Sequence, residues 1–467
     1  MSFNSIEFFI FLPLVLLLYT FVYKRENFRD YFLLFVSYFF YMSWNWMYAG
    51  LILASTIVDF FIGKSMYEED NQKKRKRLLV MSLVFNLGML GVFKYFNFFI
   101  DTAQMFTSYY GYDLSFLKHE LLLPVGISFY TFQTLSYTID LYRKHIDREK
   151  DFVKFAVFVS FFPQLVAGPI VRASEFLPQL HRNPNISNER FSNGLLLIFR
   201  GLFKKIVIAD LLASLAVDDV FANPGLFSSY DLLLALYGYT FQIYNDFSGY
   251  TDIAIGVAML LGFDLTKNFN RPYLAQNMRE FWTRWHISLS TWLRDYLYIS
   301  LGGNRGKAWK VKFNLMLTMV LGGLWHGAAL NFIMWGAWHG VLLMLSRGSS
   351  KIPDHEVPFY RVFLNRFFCF HLIAFSWLLF RIDSYENLET YLIGLSKLSS
   401  TTIIHPLFLI ILGLTAFSHF YPQKLLDKAL GKFLVLPDII QAGVYSGLLI
   451  LFIGFSIGAP QFIYFQF

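Results

Sequence analysis

The chain has 467 residues, of which 56% are hydrophobic and only 15% are charged, whereas soluble domains carry about 25% charged residues. This composition excludes an ordinary soluble fold and indicates an integral membrane protein. The formal net charge of +8 does not indicate nucleic-acid binding, because the basic residues lie in short links between apolar runs, as in cytoplasmic loops that face anionic lipid.

Continuous apolar runs recur along the chain, and their lengths suit helices that cross a hydrocarbon core of about 30 Å. We therefore expect an all-α, polytopic membrane protein with about 10 to 12 transmembrane helices. The first run lacks the marks of a cleaved signal peptide, so we expect it to be retained. The expected spans outside the central stretch are Ile6–Tyr23, Tyr31–Tyr48, Ala49–Gly63, Leu78–Ile100, Leu121–Tyr142, Gly194–Ile208, Leu232–Tyr244, Ile253–Leu261, Phe363–Phe380, Ile403–Phe420 and Gly443–Ile457.

The charge of the links alternates over the first five spans. The links after Tyr23, Gly63 and Tyr142 are basic, whereas residues 101–120 are net acidic and rich in tyrosine. The positive-inside rule then places the basic links in the cytoplasm and the N-terminus outside it.

Residues 152–190 do not resemble ordinary spans. Pro163, Gly168 and Pro169 interrupt an apolar run, and an amphipathic stretch follows. Because such breaks are tolerated where the backbone is buried in protein or lines a cavity, we expect re-entrant or interfacial helices here. No internal repeat is visible, which argues against a transporter built from inverted halves.

The stretch from residue 279 to 340 carries three histidines in apolar surroundings, where a polar ring needs a hydrogen-bond partner or has a functional role. Read as one helix, residues 281–300 separate into a bulky stripe and a polar stripe. The bulky stripe is Trp282, Trp285, Leu289, Trp292 and Tyr296, and the polar stripe is Thr283, His286 and Ser290. His286 is then either a hydrogen-bonded core histidine or a residue that lines a substrate passage.

His326 stands among glycines 322, 323 and 327, which let helices or a ligand approach the backbone closely. A histidine there can serve as a general base, or it can be an incidental ring at a tight helix crossing. His339 follows thirteen residues later in a similar context, but on a different face if the helix is unbroken. We therefore expect His326 and His339 to act together only if the chain turns between them.

Two carboxylates, Asp246 and Asp252, lie between apolar runs, with Gly249 as the expected break. Either could act directly or could orient a basic side chain of a neighbouring helix. Basic residues cluster around the central stretch. The first interpretation is that they lie in cytoplasmic loops, and the second is that they bind a phosphorylated donor. Among them, the candidate donor-binding residues are Arg279, Arg284 and Arg294.

Other site chemistries find no support in the sequence. Cys369 is the single cysteine, which excludes an internal disulfide and a thiolate metal cluster. Its apolar context also argues against a nucleophilic role. The spacing of the histidines offers no local metal-binding pair, and the common nucleotide-binding and serine-hydrolase motifs are missing. We expect no bound metal or cofactor.

Five long motifs together resemble the membrane-bound O-acyltransferase (MBOAT) family, and most closely its bacterial branch of alginate O-acetyltransferase membrane subunits. They are LPVGISFYTFQTLSYTIDLYR, FFPQLVAGPIVR, IYNDFSGYTDIAIG, FWTRWHISLSTWLRDYLYISLGGNRG and LGGLWHGAALNFIMWGAWHG. The likeness runs over residues 1–345. The remaining C-terminal part carries no matching motif.

The resemblance implies one membrane domain over residues 1–467, a ring of helices around a central tunnel. Its motif-bearing core would span residues 120–345, with peripheral helices in 1–100 and 360–467. His326 matches the family's essential histidine, and His286 matches the second histidine, which lines the tunnel. The residues we expect to line or support this tunnel are Asn245, Asp246, Asp252, Trp285, Ser290 and Trp325.

The resemblance also implies an activity. An acetyl group from a cytoplasmic thioester such as acetyl-CoA would pass through a protein in the bacterial plasma membrane to a hydroxyl outside. That hydroxyl would belong to an exported polysaccharide or to an extracytoplasmic acetyltransferase partner, beside a polysaccharide synthase complex. His326 would be the general base, and His286 a candidate donor to the thioester carbonyl. A transporter or lipid flippase, and an accessory scaffold of a synthase, remain as alternatives.

Overall fold

The computed structural model describes residues 1–119, 122–346 and 358–456, and this part of the chain contains helices and loops but no strand. The expected all-α fold is confirmed. The positions 120, 121 and 457, which end or begin expected segments, lie outside the described residues.

The α-helices divide into three groups along the chain. The first group is α1 (Ile6–Val22), α2 (Glu26–Met42), α3 (Ala49–Glu68), α4 (Gln72–Leu90), α5 (Phe96–Thr107) and α6 (Ile127–Tyr142). The second is α7 (Phe152–Ser160), α8 (Phe162–Leu165), α9 (Ala173–Leu180), α10 (Asn188–Leu202), α11 (Asp210–Leu212), α12 (Asp218–Ala222), α13 (Ser229–Leu260), α14 (Met278–Trp282), α15 (Ile287–Trp292), α16 (Ala308–His326) and α17 (Leu330–Leu345). The third is α18 (Phe359–Arg381), α19 (Tyr385–Ser396), α20 (Pro406–Phe420), α21 (Gln423–Leu434) and α22 (Asp438–Ser456).

Short helical turns continue or join these helices. The π-helical turns are Gly91–Tyr95, Phe203–Ala209, Ala213–Val217 and Leu293–Tyr298. The 3₁₀ turns are Trp46–Tyr48, Ser108–Tyr110, Ser115–Leu117, Pro224–Leu226 and Pro272–Leu274. The π-helical turn Gly91–Tyr95 joins α4 to α5, so that one helix runs from Gln72 to Tyr110.

Four helices of the described chain are long and apolar enough to cross a membrane: Trp46–Glu68, Gln72–Tyr110, Phe359–Arg381 and Asp438–Phe455. Three shorter apolar helices, α1, α17 and α20, accompany them. The protein is therefore a multi-pass membrane protein. The count of about 10 to 12 crossings stays a prediction.

Several helices begin at a residue whose side chain accepts a hydrogen bond from the backbone of the first turn, which satisfies donors that a helix leaves unpaired. These N-caps are Ser5, Asn71, Asp151, Ser187, Ser228, Asn277 and Ser384. At α14 the cap is reciprocal: Asn277 accepts from the Glu280 N–H at 2.9 Å, and the Glu280 carboxylate accepts from the Gln276 N–H at 2.9 Å.

Arginines tie helix ends together by binding backbone carbonyls. The Arg75 guanidinium donates to the carbonyls of Met66 (2.5 Å) and Leu141 (2.9 Å), so the ends of α3 and α6 meet at the start of α4. The links after α3 and α6 therefore lie at one end of these helices, as the alternation of charge predicts. Arg271 in the same way donates to the carbonyls of His419 and Tyr421 at the end of α20.

The expected break at Gly249 is wrong. Helix α13 runs without interruption through both Asp246 and Asp252 for 32 residues, so the expected spans 232–244 and 253–261 are one helix. A Cβ on Gly249 would lie 2.7 Å from the carbonyl oxygen of Gly201 on α10. Gly249 therefore allows α10 and α13 to cross closely and does not break the helix.

Residues 152–180 form the short helices α7 to α9, and most of their side chains are buried in the protein. The helix-breaking Pro163 and Gly168 lie within this buried segment. This burial agrees with the expectation that the interrupted backbone packs against protein instead of lipid.

Helices α16 and α17 form a hairpin that turns directly after His326. A Cβ on Gly336 of α17 would lie 2.4 Å from the carbonyl oxygen of Met319 on α16. The Asn331 amide of α17 donates to the carbonyls of Phe380 (3.2 Å) and Ile382 (3.1 Å), which fixes the hairpin against α18. This packing holds the end of α16 in the interior.

Candidate active site

His286 does not lie within a helix. The single helix expected over residues 281–300 is wrong, because α14 ends at Trp282 and α15 begins at Ile287, with His286 between them at φ 41° and ψ 56°. This is the left-handed region, which few side chains adopt and which costs energy. The two stripes predicted for one helix therefore do not exist as continuous faces.

Asn268 fixes the orientation and the tautomer of His286. Its Oδ1 accepts hydrogen bonds from the Ser288 backbone N–H (3.1 Å) and the Ser288 hydroxyl (2.9 Å), and it lies 3.1 Å from His286 Nδ1. Since the backbone donor identifies this atom as the carbonyl oxygen, His286 Nδ1 must donate to it. The neutral ring then carries its lone pair on Nε2. It could donate from Nε2 to a thioester carbonyl only after gaining a second proton.

His326 is the last residue of α16 and is 4% exposed. Its ring centroid lies 6.4 Å from that of His286, 5.0 Å from Trp335 and 5.4 Å from Phe380. The break before α15 and the end of α16 thus bring together two histidines that are 40 positions apart. With Trp335 and Phe380 they form an apolar cluster, the histidine cage. A proton can be held at this place with little competing water.

His339 lies in the same region but in a different role. Its Nε2 is 3.0 Å from the Ser376 hydroxyl, which itself donates to the Ile373 carbonyl at 2.6 Å. The Ser376 oxygen therefore accepts from His339 Nε2. The chain does turn between His326 and His339, and both rings pack against Trp335, at 5.0 and 4.7 Å. The His339–Ser376 bond joins α17 to α18.

The two carboxylates of α13 bind basic residues of α10 and of the π-helical turn that follows it. Asp252 accepts from Arg200 at 2.8 Å and from Lys204 at 2.7 Å. Lys205 lies 3.0 Å from Asp246. These pairs correspond to the predicted alternative in which the carboxylates orient basic side chains of a neighbouring helix. The α13 residue whose ring packs on His286 is Phe247, at 4.7 Å.

The other predicted tunnel residues, Asn245, Trp285, Trp325 and Ser290, each make a different kind of contact. The Asn245 amide donates to the Phe241 carbonyl of its own helix at 2.8 Å. Trp285 is buried against Phe269 and Trp377. The ring centroid of Trp325 lies 6.0 Å from that of His286 and 5.1 Å from that of His326, so Trp325 packs beside both rings. The Ser290 hydroxyl donates to the Trp285 carbonyl at 3.1 Å, and Ser290 also lines a cavity.

That cavity has a volume of about 380 Å³ and lies between α14 to α17 and the basic link before α16. Its polar lining includes Arg279, Arg294 and Asn304, and both arginines are exposed. Along α16 it extends to Met319, seven residues before His326, which is about 10 Å of helix. It has the size of a small-molecule site.

Trp282 lies between the cavity and the histidines. It lines the cavity, and its ring lies 5.9 Å from that of Trp335, which in turn packs on His326 at 5.0 Å. A chain of two tryptophans therefore separates the cavity from the cage.

Of the three candidate donor-binding arginines, Arg279 and Arg294 line the cavity and Arg284 does not. Arg284 donates to the Glu280 carboxylate at 2.8 and 3.0 Å and to the Asn270 carbonyl at 3.1 Å. Arg294 also binds Asp295, at 2.6 Å. Burial opposes ionisation of Asp295, yet hydrogen bonds from Arg294 and Arg172 hold the pKa of its carboxyl below the ordinary value.

The described residues contain no group of three or more His, Cys, Asp or Glu side chains that could hold a metal ion. Sequence reasoning missed two polar residues beside the histidines: Asn268, which binds His286, and Lys94, which reaches the end of α16. The sequence contains a signal for each of them: Asn268 is a polar residue in a link, and Lys94 is a lysine in an apolar span.

The sequence of this chain matches a known protein family. The model of the MBOAT, membrane-bound O-acyltransferase family, matches residues 141–381, which include both histidines of the cage. The probable alginate O-acetylase AlgI of Pseudomonas aeruginosa is 41% identical over 392 residues, which cover 83% of this chain and 72% of that protein.

Two further relatives differ in their named acceptors. The peptidoglycan O-acetyltransferase of Helicobacter pylori is 35% identical over 408 residues, 82% of this chain and 76% of that protein. The teichoic acid D-alanyltransferase of Bacillus subtilis is 27% identical over 282 residues, 56% of this chain and 69% of that protein.

Proposed function

The chain belongs to the membrane-bound O-acyltransferase family, and on that premise we propose that it moves an acetyl group from cytoplasmic acetyl-CoA to a hydroxyl outside the plasma membrane. The observation that carries this proposal is the pair His286 and His326, whose ring centroids lie 6.4 Å apart. The pair lies further along α16 than the cavity, which begins at the basic link before this helix. The N-terminus lies outside in this arrangement, because the basic links face the cytoplasm.

The cavity receives the thioester donor. Arg279 and Arg294 stand at its exposed edge and suit the phosphates of coenzyme A in charge and geometry. Its apolar inner lining, Leu293, Met319 and Leu343, suits the pantetheine arm. The acetyl group then passes Trp282 and Trp335 to reach His326.

His326 acts as the general base. The acceptor oxygen bonds to the thioester carbonyl carbon while its proton moves to the imidazole. The tetrahedral intermediate then breaks its C–S bond, and the thiolate takes the proton from the imidazolium. Acetyl ester and free thiol are the products, and His326 ends as it began. General-base catalysis of this kind increases the reaction rate by a factor of about 10² to 10⁴.

His286 accepts a hydrogen bond in this reaction. Its Nδ1–H is directed to Asn268, so the neutral ring presents the Nε2 lone pair. From there it can orient the acceptor hydroxyl or the His326 ring. This role replaces the donor role expected from the sequence and predicts a graded loss, not abolition, in His286→Ala.

The acceptor is a hydroxyl of an exported polysaccharide, reached directly or through an extracytoplasmic acetyltransferase partner. The relatives named for alginate and peptidoglycan favour a glycan. The family consists of acyltransferases, which argues against a transporter.

The test uses sealed inside-out vesicles from cells that express the protein, with [14C]acetyl-CoA in the medium. We expect base-labile label in the lumen, and His326→Ala should abolish it while the protein stays in the membrane. His145→Ala, an exposed histidine on the loop after α6, is the matched control and should label as wild type does. Luminal labelling by His326→Ala at the wild-type rate would refute the mechanism.

A further inference from the structure

Helix α16 ends at His326, so the last backbone carbonyls of this helix lie next to the catalytic ring. The last four carbonyls of a helix have no partner within it, and together they form the negative end of the helix dipole. Without hydrogen-bond donors, these carbonyls would destabilise the end of the helix that holds His326.

Two adjacent residues of another helix bind these carbonyls. The Lys94 ammonium donates to the carbonyls of Trp325 at 2.7 Å and His326 at 2.9 Å. The Tyr95 hydroxyl donates to the Leu324 carbonyl at 2.6 Å. The last three carbonyls of α16 thus receive hydrogen bonds from a single dipeptide more than 220 positions earlier in the chain.

The backbone around Lys94 is shaped for this contact. Lys94 and Tyr95 end the π-helical turn Gly91–Tyr95, in a helix that is otherwise α-helical from Gln72 to Thr107. Such a turn inserts a residue and re-aims the side chains around it, and it is frequent at functional sites. A lysine within an apolar span is costly and needs a partner, which here is the helix end.

Lys94 also brings a basic, strongly hydrogen-bonding side chain to the helix end that carries His326. The titratable groups that face His326 are Lys94 from the π-helical turn, His286 before α15, and His339 of α17, which shares Trp335 with it. Among them Lys94 is the only one whose ordinary state at neutral pH is cationic.

We propose that Lys94 is a positioning residue for the acyl transfer: it fixes the end of α16 that carries His326 and offsets the negative end of that helix. The inference rests on the proposed function, since it needs His326 as the base. Tyr95 supports the same helix end without contributing charge. Lys94 acts through His326 and need not touch the donor.

The experiment measures initial rates against acetyl-CoA concentration in the inside-out vesicle assay, with kcat calculated per molecule of quantified protein. We expect Lys94→Met to lower kcat about tenfold or more while the KM for acetyl-CoA stays within about twofold. Lys94→Arg keeps the charge and the donors and should recover most of the rate. Tyr95→Phe removes one hydrogen bond and no charge, so its kcat should fall less than about threefold.

Lys94→Gln is the second variant, because it retains an N–H donor and loses the charge, in case Lys94→Met does not reach the membrane. A kcat within about threefold of wild type in either folded variant would overturn the inference. So would a raised KM with unchanged kcat, which would place Lys94 in the donor site. Wild-type vesicles that transfer no acetyl group would instead refute the proposed function, so the two failures are distinguishable.

Discussion

At the scale of single residues, Asn268 shows how one acceptor determines the state of a neighbouring ring. Its Oδ1 accepts from two groups of Ser288 and from His286 Nδ1, so the tautomer of His286 follows from a backbone contact. His286 itself occupies the left-handed region, at φ 41°. Strain of this kind persists where the surrounding structure enforces it, and it is common at active sites.

Asn268→Ala is expected to lower the transfer rate by about 10- to 100-fold, because His286 loses the contact that orients it. It should also destabilise the protein by about 1 to 3 kcal/mol, since the buried Ser288 N–H loses its acceptor. The rate is measured per molecule in the vesicle assay. Asn387→Ala, at the exposed start of α19, is the control. A wild-type rate in Asn268→Ala would show that this contact has no part in transfer.

The sequence allowed the histidines to be predicted as site residues, and only some of their surroundings. A polar ring in an apolar segment is visible in the sequence, which is why His286 and His326 could be proposed. Asn268 could not be identified, because its task depends on a loop that meets residues 284–288 only in the folded chain. Lys94 was visible as a lysine in an apolar span, but its partners at the end of α16 appear only in the folded chain.

At the scale of helices, the crossing of α10 and α13 depends on glycines that leave no room for a side chain. The same crossing pairs Asp252 with Arg200 and Lys204, so close backbones and buried charges occur together. The sequence indicated a break at Gly249, because glycine often ends helices. It could not show that the carbonyl of Gly201 on another helix occupies the space beside it.

Gly249→Ala should destabilise the protein by about 1 to 3 kcal/mol, because the new methyl group would lie 2.7 Å from the Gly201 oxygen and would force the helices apart. Thermal unfolding of the detergent-solubilised protein measures the change. Gly413→Ala, on α20, is the matched control: nothing lies within 4 Å of its Cβ position, and alanine there should stabilise the helix by about 0.5 to 1 kcal/mol. Equal melting temperatures for the two variants would contradict the close crossing.

At the scale of the whole molecule, the cavity and the histidine cage occupy successive positions along α16. The basic link at the start of this helix borders the cavity, and His326 ends the helix. Composition predicted the all-α membrane fold, since long apolar runs leave few alternatives. It could not predict which arginines line the cavity, because that depends on how α14, α16 and α17 pack.

Arg279→Gln and Arg294→Gln should each raise the KM for acetyl-CoA by about 5- to 30-fold while kcat changes little, because a charge-assisted contact to phosphate contributes about 1 to 2 kcal/mol. The effect should diminish as salt is added, since screening already weakens the wild-type contact. Arg305→Gln, on the exposed link before α16 and not among the cavity-lining residues, is the control. If all three variants keep the wild-type KM, the cavity is not the donor site.

The attachment of α20 by Arg271 has an evolutionary consequence. Arg271 binds the main-chain oxygens of His419 and Tyr421, and every amino acid supplies such an oxygen. Substitution of residue 419 or 421 would therefore leave this attachment in place, whereas substitution of Arg271 would remove it. Statistical coupling between aligned columns would miss this contact, although it joins α20 to the link before α14.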